Sequence, residues 1–259
     1  MIIFPKPGRL SERLSRPPGT LERVIDGATV IHTPSRPDHR YGNVLALEDV
    51  PTSVVDVLNA VEKYRELGDD LGMPSLACLA WEIPDADPAR SIEFATTAGL
   101  DVQLADVLIA RPTGEASASQ TVHPVPEANW AHLHTLASSE DDFTADGLRR
   151  WFLEGRLELV RSGRAQIWGV LEEGIPVAAC FSFTSGVLSR VDQLLVRPDL
   201  RRRGLGSTLV AGIRDRLSSS RLIVMEPQTG NWRSHMYRKL GFEPAGFTVT
   251  ATERRSIRE

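Results

Sequence analysis

In the second half of the chain, apolar positions fall into two different periods. Trp130, Leu133 and Ala137 share one face of a helix predicted over 127–138, and Leu148, Trp151, Phe152 and Leu159 share one face of another over 144–161, where Thr144 followed by Asp146 suits a helix start. The pattern then shortens. Residues 166–171, 176–183 and 187–196 read as three antiparallel strands joined by turns at Glu173-Gly174 and Ser185-Gly186. Leu205, Leu209, Ile213 and Leu217 return to helical spacing with one buried stripe, and the wholly apolar run 222–225 suits a central strand covered on both faces. A helix over 232–240 stops at Gly241, and 242–252 alternates as a final strand pair would.

The first half repeats part of this order in weaker form: a helix over 54–67, a strand over 75–82, a helix over 86–98 that stops at Gly99, and a strand over 102–110. ATTAGLD stands there where the second half has YRKLGFE. Between the halves, RPTGEASASQTVHPVP at 111–126 has linker composition, which places the boundary between a first domain at 1–118 and a second at 119–259.

Composition narrows the function classes. Of 259 residues, 30 are Lys or Arg and 34 Asp or Glu; the net charge of -4 supplies no global positive field to hold a nucleic acid. No window approaches the roughly 18 apolar residues of a membrane span, and Pro and Arg interrupt the opening segment before a signal-peptide core forms, so the expected compartment is the cytoplasm. Cys78 and Cys180 lie far apart with no further thiol or histidine at metal-ligand spacing, and His132 and His134 point different ways on one helix. No metal site is expected, and the oligomeric state is expected to be a monomer or homodimer.

The strongest chemical signal is VDQLLVRPDLRRRGLGSTLV, a strand, a loop and a helix that begins near Gly204. Glycines at 204 and 206 leave the first helical N–H groups accessible, and those orphan donors with the positive end of the helix dipole form an anion site. Arg201, Arg202 and Arg203 add positive charge at the same place. Taken alone, the string also fits a packing turn or a solvated basic face. It matches neither the P-loop, which has a lysine after its last glycine, nor the dinucleotide fingerprint.

With the meander before it and the amphipathic helix after it, Arg201-Arg202-Arg203-Gly204-Leu205-Gly206 resembles the acetyl-CoA motif of the GNAT superfamily over roughly 125–250. The resemblance implies an α/β (α+β) fold, a mixed central sheet flanked by helices. It further implies that Leu195 and Val196 hold the pantetheine arm through main-chain groups, while amides from Arg202 through Leu205 and Gly206 to Ser207 hold the pyrophosphate. GNWRSHMYRKLGF is similar to the family's second hallmark, with Asn231 on the cofactor chain and Tyr237 as the general acid for the departing thiolate. In isolation, a tyrosine before Leu-Gly-Phe reads more often as core than as catalytic. Glu226, at the end of the strand before Asn231, is the first candidate for the base that deprotonates the amine; Asp192 is the second, and His235 reads as a surface or packing residue.

The implied activity is acetyl transfer from acetyl-CoA to the amine of a small molecule or protein in a ternary complex. The alternatives are a CoA-binding protein without turnover and an aminoacyl transferase with two GNAT-like halves. The first half has no counterpart of the cofactor motif; its RYGNVLALED and ATTAGLD segments resemble the degenerate half of a tandem member, and a different small α/β domain is the alternative.

Overall fold

The computed structural model describes residues 6–37, 42–84, 87–113, 121–138, 146–227 and 232–254. In chain order these form helix α1 (Pro7–Leu14), strands β1 (Leu21–Ile25), β2 (Ala28–His32) and β3 (Val44–Leu47), helix α2 (Val54–Leu71), strand β4 (Cys78–Ile83), helix α3 (Ala89–Thr97) and strand β5 (Leu100–Ala110). There follow the short β6 (His123–Pro124), helices α4 (Ala131–Ser138) and α5 (Asp146–Arg161), and strands β7 (Ala165–Glu172), β8 (Ile175–Ser185) and β9 (Leu188–Val196). Helix α6 (Leu205–Arg216), strand β10 (Arg221–Pro227), helix α7 (Trp232–Lys239) and strand β11 (Phe242–Glu253) complete the order. Thr144, proposed above as a helix start, lies outside the described residues.

All eleven strands belong to one sheet, in the order β1-β2-β3-β4-β11-β5-β10-β9-β8-β7-β6. That order is nearly palindromic about the β11–β5 pair. On one side β3 and β4 run parallel, on the other β9 and β10 do, and each parallel pair is followed by an antiparallel strand from the opposite half. The repeat suggested by ATTAGLD and YRKLGFE falls on equivalent places: α3 leads through Gly99 (φ 84°) into β5, and α7 leads through Gly241 (φ 79°) into β11. Only glycine enters that left-handed region without a Cβ penalty.

The expected strand pair over 242–252 is instead one strand of 12 residues. Its alternation is real, but its two partners come from the first half: β4 on one edge and β5 on the other. The halves are therefore interleaved at the centre of the sheet. Buried residues of α2 and α3 cover β2 to β4 together with Val249 and Ala251 of β11, while α6 and α7 cover β8 to β10. The α6 stripe read from the sequence is the inward face, with Leu209 and Ile213 fully buried, each contributing about 1.5–3 kcal/mol. The opposite face of the second half is covered by α4 and α5, and by α1, which packs on β8 to β11.

Candidate functional site

The parallel pairing of β9 with β10 extends only from Arg221↔Leu188 to Ile223↔Arg190. Beyond it the strands part, while β9 stays bonded to β8 through Ala179↔Leu195 and Ala178↔Val196. The ladder between β8 and β9 slips by one residue there, a β-bulge, and Gln193 in the bulge adopts φ 54°. A bulge bends its strand and increases its twist, which accounts for the divergence; a non-glycine residue held there costs about 1–3 kcal/mol. The opening connects the two faces of the sheet. Val191, Leu194 and Val196 pack with the α6 and α7 layer, whereas Leu195 packs with α4 and α5. Asp192 and Arg190 face the α5 and α1 side, where they meet Arg156 and Ser11.

At one end of the opening stands the N-terminus of α6. Gly204 caps it at φ 83°, Arg202 precedes it at φ 63°, and the first intrahelical bond runs from Thr208 N–H to the Gly204 carbonyl at 2.9 Å. The amides of Leu205, Gly206 and Ser207 precede that bond, so they have no carbonyl within the helix. Gly204 is required by its φ. At Gly206 a Cβ would lie 3.2 Å from Leu194 Cδ2, so a side chain there would need Leu194 to shift by a few tenths of an ångström. Beside this turn is a cleft of about 890 Å³, bounded by Val196, Arg201, Arg202, Trp232, Arg233 and Lys239 among others. Among the described residues its wall contains Arg and Lys side chains and no carboxylate, the electrostatics an anionic ligand needs.

Several expected cofactor residues meet in this cleft: Val196, Arg201, Arg202, Gly204, Leu205, Gly206 and Ser207 line it. Arg203 is not on its wall, and the Leu195 side chain points to the opposite core, so only its main chain borders the opening. Arg201 donates from Nε to the Val196 carbonyl at 3.2 Å, bracing the loop against the strand end. Asn231 lies outside the described residues. Sequence reasoning missed the contribution of α7, whose residues Trp232, His235, Met236 and Lys239 form one wall; their spacing along the helix was the available signal. His235, read as a surface or packing residue, is exposed on that wall.

Tyr237 is 5% exposed and packs edge-on against Phe242, with ring centroids 5.4 Å apart. Burial pushes its hydroxyl well above the ordinary phenol value, with smaller upward contributions from Cys180 and Glu226 and a downward one from Arg233. The phenol is thus protonated at every working pH. Glu226 is buried on the α6 and α7 side of β10, its Oε1 3.5 Å from Arg233 Nη1, an ion pair that joins the strand to α7. On the same helix Ser234 donates to Asp106 of β5 at 2.8 Å. The second candidate base, Asp192, is bound by Arg156 at 2.6 Å and Arg190 at 3.5 Å. Burial raises its carboxyl, but these guanidinium groups outweigh it and hold the group below its usual value, which makes it a poor proton acceptor.

Among the described residues no three His, Cys, Asp or Glu side chains are grouped as a metal site requires, and no helix is long and apolar enough to cross a membrane.

A strand pair that opens beside a glycine-started helix defines an acyl-CoA N-acyltransferase fold, and comparison with known proteins agrees. Residues 163–244 match the family model of the acetyltransferase (GNAT) domain. No curated protein matches the chain in sequence. Among solved structures, a functionally unknown conserved protein from Staphylococcus epidermidis ATCC 12228 aligns with a TM-score of 0.71 at 12% identity, over 90% of this chain and 94% of its own. A GCN5-related N-acetyltransferase from Kribbella flavida aligns at 0.63 and 14% identity, over 96% of each chain. A tandem GNAT protein from the clavulanic acid biosynthesis pathway aligns at 0.54 and 16% identity, over 91% of this chain and 83% of its own. These likenesses extend through both halves and agree with a fold of two GNAT-like units in one sheet.

Proposed function

We propose that the protein transfers an acetyl group from acetyl-CoA to an amine by direct attack in a ternary complex. The observation that carries this reading is the opening between β9 and β10 beside the unbonded first amides of α6. The amides from Arg202 to Ser207, with Arg201 and Arg202, bind the pyrophosphate. The pantetheine lies along the free edge of β9 at Leu195 and Val196 and carries the thioester through the opening toward the α5 and α1 side. Asn231 contributes to holding the cofactor chain.

The chemistry balances as follows. An alkylammonium loses one proton, and its nitrogen attacks the thioester carbonyl carbon, whose oxygen is polarised by a main-chain N–H at the end of β9. The C–S bond breaks, Tyr237 gives its phenolic proton to the thiolate, and the second proton of the nitrogen restores the phenol. The products are amide, free CoA and one proton. Glu226, whose Oε1 lies 3.5 Å from Arg233 Nη1, is the first candidate for the initial deprotonation.

Burial of Tyr237 in the core favours a second reading, binding of CoA without turnover. One experiment separates the two. Acetyl-CoA at a hundredfold excess over its dissociation constant should stabilise the protein by about 2.7 kcal/mol, and an amine panel should then release free thiol. No stabilisation at millimolar acetyl-CoA ends both readings, and stabilisation with no thiol release across the panel leaves only the second.

A further inference from the structure

A second cavity, of about 200 Å³, lies on the face of the sheet opposite the α6 cleft. It is enclosed by α1 and the turn after it, by α5, and by strands of the first half, with Ile31, Val44 and Ala80 on the apolar side. The charged side chains on its wall are Glu12, Arg16, Arg156 and Arg190. Arg156 and Arg190 both reach Asp192, which borders the bulge in β9, and the Asp192 carboxylate acts electrostatically on Glu12 and on Tyr237. The cavity therefore adjoins the far side of the opening through which a thioester would pass.

The three arginines are already engaged. Arg16 pairs with Glu22. Arg156 holds Asp192 at 2.6 Å, donates to the Ser15 carbonyl and lies over the Phe183 ring. Arg190 meets Asp192 at 3.5 Å, Ser11 Oγ at 3.3 Å and the Met225 sulfur at 3.0 Å. The hydroxyl groups are engaged as well: Ser15 donates to the Glu12 carbonyl at 3.1 Å, Thr20 to the Pro17 carbonyl at 2.9 Å and Thr33 to the Gly42 carbonyl at 2.9 Å. Glu12 differs, since among the described residues its carboxylate forms neither a hydrogen bond nor an ion pair. Burial carries it above the usual carboxyl range, against the pull of Arg190, Arg16 and Arg9, which suits a group that takes up a proton. Among the described residues, a ligand's carboxylate or phosphate would meet only cations that already have partners, whereas an amine would meet Glu12. The volume is below the ~300–1,000 Å³ of drug-sized ligand sites, which favours a small acceptor.

We infer that this cavity is the acceptor site, that it takes a small primary amine without an acidic group, and that Glu12 meets the amine and receives its proton. The inference rests on the acyltransfer reading for its chemistry. The ammonium enters with Glu12 as its counter-charge, and one proton passes from the nitrogen to the carboxylate. Arg190, Arg16 and Arg9 act on Glu12, and their positive charge disfavours a further cation beside them, so the seated amine is held in its neutral form. Its lone pair attacks the thioester carbonyl carbon at the opening, and Glu12 releases its proton to water after the amide has formed. The first half of the chain thereby acquires a role: it supplies α1 and the floor of the cavity.

The test uses butylamine and phenethylamine, each beside the alcohol of the same shape and beside the amino acid with the same body, norvaline and phenylalanine. Calorimetry on the full chain without acetyl-CoA measures binding, and thiol release with acetyl-CoA measures transfer. We expect at least one amine to bind where its alcohol does not, and to be acetylated with kcat/KM at least about tenfold above its amino acid. Glu12→Gln should lower that kcat/KM at least about a hundredfold, and Ala80→Leu, which fills the cavity, at least about tenfold, while acetyl-CoA affinity stays within about twofold of the parent. Equal or better use of the amino acids, or two variants that acetylate the amine as the parent does, would overturn the inference while leaving acyltransfer intact. A larger loss in Glu226→Gln than in Glu12→Gln would put the proton transfer on the α7 side and overturn it as well. Amine binding that Glu12→Gln removes, in a protein that does not bind acetyl-CoA, would sink the acyltransfer reading and leave the cavity assigned.

Discussion

The Asp192 carboxylate lies 2.6 Å from Nη2 of Arg156, joining the bulge of β9 to α5 where the sheet opens. Both side chains are largely withdrawn from water, at 16% and 9% exposure, and Arg156 also lies over the Phe183 ring with its guanidinium 4.9 Å from the centroid. Replacing one member leaves the other buried without its counter-charge, so Asp192→Asn should cost about 3–5 kcal/mol in urea unfolding. The pH dependence has a defined sign. Because the folded carboxyl is held below its usual value, its stabilisation is complete above the unfolded value near 4 and is lost as pH falls through the folded value. The gap in urea midpoint between parent and Asp192→Asn should accordingly narrow in acid; a gap that stays constant would remove the ion pair from this role.

The turn at Gly204 makes a prediction about binding alone. Its φ of 83° is costly for any side chain, and a carboxylate at that point would meet the phosphates it is proposed to admit. Gly204→Glu should therefore abolish the stabilisation by acetyl-CoA. Gly204→Ala should cost about 1–2 kcal/mol of folding stability and leave measurable binding. Thermal melts with and without acetyl-CoA read both; a Glu variant that still shifts would place the pyrophosphate elsewhere.

The contrast between the two pockets explains what could be read from the chain before its fold. The cofactor cradle is local: the strand end at Val196, the loop arginines and the glycines of α6 lie within a dozen or so residues, so their spacing carries the signal. The second cavity draws on Glu12, Ala80, Arg156, Arg190 and Thr250, which only the interleaved sheet brings together. Helix α1 was invisible for a related reason. Its buried positions are Pro7, Gly8 and Ser11, and its apolar face is only the pair Leu10 and Leu14, too short a stripe to mark a helix. Strand β1 is an exposed edge and lacks a buried face to set its period. The strands β4, β5 and β8 to β10 and the helices α2, α3, α6 and α7 had apolar runs or stripes long enough to be recognised. Their partners, above all β11 between β4 and β5, did not follow from any local pattern.

Tyr237→Phe tests proton delivery. Phenylalanine keeps the edge-on contact with Phe242 and the packing under α7, so acetyl-CoA stabilisation should survive. General acid–base groups contribute about 10²–10⁴-fold, and kcat should fall by at least the lower figure while KM for acetyl-CoA changes little. Unchanged turnover in the Phe variant would make Tyr237 a core residue and nothing more.

The attachment of α1 joins the two halves of the sheet: it is bonded to β4 and packs beside β5, β9 and β10. Its first amides, Gly8 N–H and Arg9 N–H, donate to Glu82 Oε1 and Oε2, each at 2.9 Å, so the positive end of the helix rests on a buried carboxyl of β4. Close approach depends on Gly8: a Cβ there would stand 2.7 Å from Thr248 Cγ2, 2.9 Å from Val107 Cγ2 and 3.3 Å from Glu82 Cδ. The first two neighbours are branched side chains on the central strands β5 and β11, which cannot move without disturbing the sheet. Gly8→Ala should therefore lift the helix, at about 1–3 kcal/mol, or roughly 2–12 °C in Tm for a chain of this size. Limited trypsin digestion should show earlier cutting at Arg9 and Arg13. Any stabilisation by acetyl-CoA should be the same in Gly8→Ala as in the parent, since α1 packs on the face of the sheet opposite the α6 cleft. A Gly8→Ala protein with the parent's Tm and digestion pattern would show that the close approach at Gly8 does not hold α1 in place.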